Sequence, residues 1–406
     1  MRAGRIVANL LPRMAAGQAR SIESRLDLLT WTKDLSVADG PIASPLEDRH
    51  RALGAKLAPF AGWEMPIDFG SVVAEHTAVR QHAGVFDLSH LGSVSVTGPE
   101  AAAVAQRALS NDIERIGEGG AQYSLCLTPD GGILDDLIVY RMPWGMWTVP
   151  NAASNADVVA ALRACAQGRS AAVTDHGAAV TCLAVQGPES AGVLRQAGVE
   201  PGDLAFMTCR DLEGHGVGDA AGAPPPRGGL LARTGYTGER GYELFLPAEQ
   251  APAVWDRVRT AEAHPVGLGA RDTLRLEMGL PLHGNDLGPD TSPVAARLMW
   301  AVRLGTGFVG EDAVAAVQQR GVSRRLIGLW ATGRGVPRAQ CPVSRAGHAV
   351  GELTSGGYSP TLGTGLGLGY LDADVEPGAG VDIDVRGRTL PAEVAKPPFV
   401  DRSPKS

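Results

Sequence analysis

Lysine is rare in this chain, occurring only at positions 33, 56, 396 and 405, and no segment carries a run of one charge. With a formal net charge of -7 over 406 residues there is no basic field to hold a polyanion. Neither a nucleic-acid partner nor an anionic membrane surface is expected. Cysteine is thin as well: Cys126, Cys165, Cys182, Cys209 and Cys341 are odd in number, far apart and without CxxC spacing. That pattern speaks against a disulfide framework or a zinc site and for free thiols in a reducing compartment. The nine histidines lack H-x-x-x-H and H-x-H spacing, so no metal is expected. There is no stretch of about 18 uninterrupted apolar residues, so no membrane span is expected either. The run GTGLGLG, Gly363 to Gly369, misses G-x-G-x-x-G at Leu368 and Tyr370 and is not followed by a helix. With no G-x-x-x-x-G-K-[ST] and no G-x-S-x-G in the chain, dinucleotide, ATP and serine-nucleophile chemistry lack support.

What is present is an ordinary globular composition, 44% hydrophobic and 20% charged, long enough for two or three domains. Residues 1–43 stand apart: Arg2, Arg5, Arg13 and Arg20 occur with no acid before Glu23, Arg25 follows it, and the apolar stretch Ile6 to Leu11 is too short for a secretory signal. They read as a mobile extension, loosely like an organelle transit peptide. The preference for Arg over Lys, with abundant Ala and Gly, points to a high-GC bacterial genome and a cytoplasmic protein. A mitochondrial matrix location is the alternative.

From Ser44 onward strands and helices alternate. SPLEDRHRALGAKL and SVVAEHTAVRQHAG read as helices, HLGSVSVTG as a strand, and PEAAAVAQRALS as a helix opened by Pro99. The grammar V-x-G-P-E then helix recurs in TCLAVQGPESAGVLRQAG, a hint of two related α/β modules. Gly214 to Gly229, with three successive prolines, reads as a surface loop. After Arg324 short β-like runs such as RLIGLWAT, HAVGELTS, VDIDVRG and LPAEVAK follow one another between Gly and Pro turns, the texture of a small all-β domain. The expected division is 1–43 as extension, 44–320 as a mixed α/β region and 324–402 as a β-domain.

Three stretches have the residues for chemistry. YSLCLTPDGGILDDLIVY reads as a hairpin turning at Pro129-Asp130-Gly131-Gly132. Strand alternation puts Asp135 on one face with Ile133, Leu137 and Val139, and Asp136 on the other with Leu134, Ile138 and Tyr140. An unpaired buried carboxylate costs several kcal/mol or takes up a proton, so each acid needs a partner or a task; local sequence does not say which acid has which. RTGYTGERGYELFL carries Tyr236 in a glycine-rich turn and Glu243 in the strand after it. It is either a tight turn or a loop that brings backbone and two carboxylate oxygens to the N–H edge of a flat heterocycle. In GLGARDTLRLEMGLPLHGND a helix begins near Gly269, which sets Arg271 in its first turn, where the dipole disfavours a cation. Arg271 there either completes an anion or carbonyl site or pairs with Asp272 or a neighbouring strand.

Together with FAGWEMPIDFGSVVAEHTAVRQHAGVFDLSHLG, LAVQGPES, TSGGYSPTLG and KPPFV, in this order and spacing, these motifs resemble the aminomethyltransferase of the glycine cleavage system, the T-protein, from about Ser44 to Val400. The resemblance implies an α+β three-domain cloverleaf: two related α/β modules around a folate pocket plus a C-terminal β-barrel-like domain. It implies Asp136 as the catalytic carboxylate, Tyr123, Asn151, Tyr236, Glu243 and Arg271 as folate contacts, and backbone near Asn151-Ala152-Ala153 against the pteridine. The implied reaction moves an aminomethyl group from the lipoyl sulfur of a carrier H-protein to tetrahydrofolate, with Asp136 stabilising the cationic intermediate and shuttling a proton. Small departures occur at Val149-Pro150-Asn151, at Ser154 where the family has a second asparagine, and at GTGFVG, which lacks the family's lysine. Three relatives are the alternatives: a folate-dependent demethylase of a small methylated substrate, an oxidase with an added flavin domain, and a non-catalytic folate-binding protein of iron–sulfur assembly. The last places a cysteine in the segment that here reads Arg233 to Glu239, where there is none.

Overall fold

The structure, a computed structural model, describes residues 40–212 and 229–405. Most of the expected extension and all but the last residue of the expected proline-rich loop lie outside them. Two open sheets, a small three-stranded sheet and a closed barrel make up the described chain. In the six-stranded sheet the order is Cys209–Asp211, Leu230–Ala232, Gly241–Pro247, Val180–Gln186, Gly84–Asp87 and His264–Val266. In the five-stranded sheet it is Ala121–Leu127, Ile133–Met142, Gly145–Val149, Val94–Thr97 and Ala172–Asp175. The chain enters the six-stranded sheet at Gly84–Asp87, leaves to build the five-stranded one, and returns at Val180, so the two modules are interleaved.

The repeated V-x-G-P-E signal has one structural meaning in both modules. Val94–Thr97 leads through Gly98 into the helix Ala101–Ala108, and Val180–Gln186 through Gly187 into Ser190–Gln196. Both glycines have positive φ, 106° and 129°, and a Cβ on either would lie within 2.5 Å of a carbonyl oxygen, Ser170 O or His82 O. Only glycine fits such a corner, which explains why it appears twice. The first expected helix is shorter than its pattern suggests, Glu47–Ala52, because Gly54 takes φ 72° and the chain turns into the strand Lys56–Phe60.

The expected β tail closes into a six-stranded barrel, Arg324–Ala331, Thr364–Asp372, His348–Ser359, Pro342–Arg345, Gly380–Val385 and Arg388–Ala395, with all of GTGLGLG after Gly363 inside one of its strands. Its interior is filled by Leu329, Val343, Leu353, Ile383 and Val394. The helix Leu268–Met278 joins barrel to modules. Its buried Glu277 accepts from Ser359 Oγ and Thr361 Oγ1 of the barrel and pairs with Arg80 Nη2 at 2.7 Å. No helix among the described residues is long and apolar enough to cross a membrane.

Candidate active site

A cavity of about 1200 Å³ opens where the two modules and the barrel meet. All six residues singled out by sequence line it: Tyr123, Asp136 and Asn151 from the five-stranded sheet and the loop after it, Tyr236 and Glu243 from the other module, and Arg271 from the helix Leu268–Met278. Ala152 and Ala153 line it too.

The two adjacent acids are separated as alternation requires. Along Ile133–Met142 burial alternates, with Asp135 fully buried and Asp136 on the cavity side. Leu127 pairs with Ile133 and Cys126 with Asp135, so Leu134 is an extra residue just before the acids. A bulge of this kind re-aims the side chains that follow it. Neither acid has an arginine partner among the described residues. Asp135 accepts from the backbone N–H of Asn151 at 3.0 Å and from Asn151 Nδ2 at 2.8 Å. Asp136 accepts from the Tyr123 hydroxyl at 2.9 Å, and Asn151 Nδ2 lies 2.9 Å from its carbonyl and 3.3 Å from Oδ1. Asn151 is therefore the clamp of the acid pair, and its side-chain N–H groups are committed to it.

Burial raises the pKa of both acids. Asp135 is raised further by the charge of Asp136, against the Asn151 bonds. For Asp136 the burial effect is opposed by the charge of His283 and the Tyr123 bond. The two buried carboxyl groups, adjacent on one strand, oppose each other's ionisation.

Across the cavity Glu243 is buried at 8% exposure, and its Oε2 accepts from Thr234 Oγ1, with the Tyr140 hydroxyl 3.5 Å away. Burial raises its pKa, and Thr234 and Arg271 oppose the rise. Tyr236 is pinned by its hydroxyl to Pro281 O, and the Arg271 guanidinium sits 4.6 Å over its ring. The expected alternative partner of Arg271, Asp272, instead takes Arg275 Nε at 2.7 Å. Among the described residues Arg271 has no ion pair within 4 Å, and desolvation lowers its pKa. A guanidinium in this state is available to a carbonyl or anionic ligand. Buried carboxylate, stacked tyrosine and unpaired arginine facing one space match the recognition of a planar heterocycle with adjacent N–H donors.

A family model described as the GCVT N-terminal domain matches residues 46–306, and one described as the glycine cleavage T-protein C-terminal barrel domain matches residues 324–401. The chain belongs to the glycine cleavage T-protein family. An aminomethyltransferase of Frankia alni is 48% identical over 371 residues, 89% of this chain and 98% of that relative. One from Mycobacterium avium is 47% identical over 364 residues, 88% and 96% of the two chains. Glycine cleavage system aminomethyltransferase T from Bartonella henselae, in its crystal structure, matches with a TM-score of 0.82 at 36% identity, over 89% of this chain and 98% of that one. The likeness to the T-protein family thus spans both modules and the barrel that enclose the cavity, and the motifs that carried it in the sequence supply its walls.

This T-protein family member also places residues at the cavity that sequence reasoning missed. Trp300, 66% exposed, stacks on Tyr123 at 5.0 Å and 23°, yet lies in a segment without periodicity that would announce it. His283 lines the cavity from the segment that follows the helix Leu268–Met278. Tyr140 could have been found, since it shares the alternating face of Asp136 and Ile138.

Proposed function

We propose that this protein is the aminomethyltransferase of a glycine cleavage system, transferring the aminomethyl carbon from the lipoyl group of H-protein to tetrahydrofolate with release of ammonia. The single observation that carries this reading is one cavity that holds a clamped carboxylate, Asp136, opposite a heterocycle-recognition set, Glu243, Tyr236 and Arg271. These residues fit a folate: Glu243 offers carboxylate oxygen to adjacent N–H donors, Arg271 and Tyr236 form one wall, and the cavity has room for more than a bicyclic ring. Tetrahydrofolate supplies the nitrogen nucleophile that accepts the carbon.

The protein's own part is positioning and charge. Tyr123 and Asn151 fix Asp136 so that its carboxylate faces the reacting centre without rearrangement, which is the condition for electrostatic stabilisation of a developing cation. The raised pKa of Asp136 brings its proton exchange closer to neutral pH, where general acid–base transfer is most effective. We further propose the division 44–320 and 324–402 for the catalytic region and the β-domain, and a bacterial cytoplasmic location. The demethylase, the flavin-containing oxidase and the iron–sulfur-assembly relative are not favoured by the curated relatives, which are aminomethyltransferases.

The deciding experiment supplies lipoylated, aminomethyl-loaded H-protein and tetrahydrofolate and scores ammonia. Folate-dependent release supports the reading. Release with a small sulfonium or methylamine in place of the loaded carrier would transfer the assignment to a demethylase.

A further inference from the structure

His283 is a buried polar side chain at the cavity that the mechanism above leaves without a task. Its side chain is 10% exposed. Among the described residues neither ring nitrogen has a hydrogen-bond partner, and Nε2 stands 4.0 Å from Asp135 Oδ1. Buried polar groups are nearly always paired, so two orphaned nitrogens on one ring call for an explanation. A loose backbone is not that explanation. Asp286 is buried and accepts from Leu282 N at 2.8 Å, Arg275 Nη1 at 2.9 Å and Ser355 Oγ at 2.8 Å, which ties the segment to both helix and barrel. The start of the acid strand is held against the turn that follows: Ile133 N donates to Thr291 O at 2.9 Å, and a Cβ on Gly132 would fall 1.6 Å from Pro289 O. The imidazole is thus presented to the acid pair by a fixed frame, one small movement short of bonding.

We propose that His283 is the proton partner of the acid pair, closing on Asp135 and taking its carboxyl proton, so that a cation stands beside the pair and Asp136 meets the cavity as a carboxylate. This rests on the aminomethyltransferase reading of the same site. The carboxyl O–H bond breaks, an Nε2–H bond forms, and the total charge of pair and ring is unchanged. Shortening the gap by roughly 1 Å reaches hydrogen-bond length. The groups facing the ring support this direction of transfer: Asp135 and Asp136 come from the strand Ile133–Met142 and Tyr123 from the strand beside it. Tyr236, Arg271 and Arg275 line the same cavity, and Asp286 is already engaged. Burial raises the pKa of Asp136, and the charge of His283 is the largest effect opposing that rise. His283 acts through the acids and is a positioning residue.

The test uses the full chain with 13Cγ-labelled aspartate, His283→Gln and His283→Phe variants, and Asp136→Asn to assign the Asp136 resonance. In both His283 variants the Asp136 titration midpoint should rise by about one pH unit, as expected for loss of a nearby cation. The acid limb of kcat for ammonia release should move with it, lowering turnover on that limb about tenfold. Should the phenylalanine variant not fold, the glutamine variant decides. Midpoint and limb superposing on those of the parent, in a folded variant, would overturn the proposal. If the parent releases no ammonia, the function reading falls while the NMR midpoint still judges this one.

Discussion

Replacing Asp136 by asparagine should separate catalysis from stability, and the geometry says by how much. An asparagine can keep its carbonyl oxygen where Asp136 Oδ2 accepts from Tyr123 at 2.9 Å, which turns its amide toward Asn151 Nδ2 and forfeits only the 3.3 Å contact. Asn151 retains its bonds to Asp135 Oδ1 at 2.8 Å and to the Asp136 carbonyl at 2.9 Å. One long hydrogen bond is lost while the repulsion between two buried carboxylates is relieved, so folding stability should change by no more than about 1 kcal/mol. On the role proposed for Asp136, turnover should lose a general acid–base group and the charge facing the cation, about 10²–10⁴-fold, or roughly 3–5 kcal/mol of barrier. Asp135→Asn should behave in the opposite way. Its two oxygens each take a short bond from Asn151, and an amide must set one donor against another, at a stability cost of about 1.5–3 kcal/mol. Both variants are assayed for ammonia release with loaded H-protein, for folate binding by titration, and for stability by urea unfolding. The reasoning is refuted if Asp136→Asn turns over within about threefold of the parent, a change under 1 kcal/mol. It is equally refuted if Asp135→Asn keeps full stability yet loses as much turnover.

Glu277, whose pKa is held at about 2 against the cost of burial by His76 first and then by Arg80 and Ser359, contributes stability that is complete above its ordinary value of 4.5 and is lost as pH falls toward 2. The size is on the order of 3 kcal/mol, and acid titration of urea midpoints should show that slope in the parent and not in Glu277→Gln. Glu243→Gln should weaken folate binding by about 1.5–3 kcal/mol, because one charge-assisted acceptor becomes a donor; an unchanged Kd in a fluorescence titration contradicts the assigned role. Gly132→Ala should destabilise by about 3 kcal/mol or more, since its Cβ would fall 1.6 Å from Pro289 O, and a Tm within a degree or two of the parent would disprove that packing.

Local patterns in the sequence were enough to place much of this protein. Alternation puts Asp135 and Asp136 on opposite faces because side chains in a strand must alternate, and the burial along Ile133–Met142 follows that alternation. The two V-x-G-P-E corners are legible because their glycines satisfy a local backbone demand, and the barrel strands are legible because Gly and Pro punctuate them. The tertiary structure alone decided who holds the acids. Asn151 reaches Asp135 from 16 positions further along, and His283 arrives beside Asp135 from a segment folded against helix and barrel. Likewise the sequence offers Asp272 as a partner for Arg271, yet the helix turns Asp272 toward Arg275 and leaves Arg271 over the ring of Tyr236. Contacts such as these depend on which surfaces pack together, and no periodicity of 2 or 3.6 residues records which distant segment a side chain will meet.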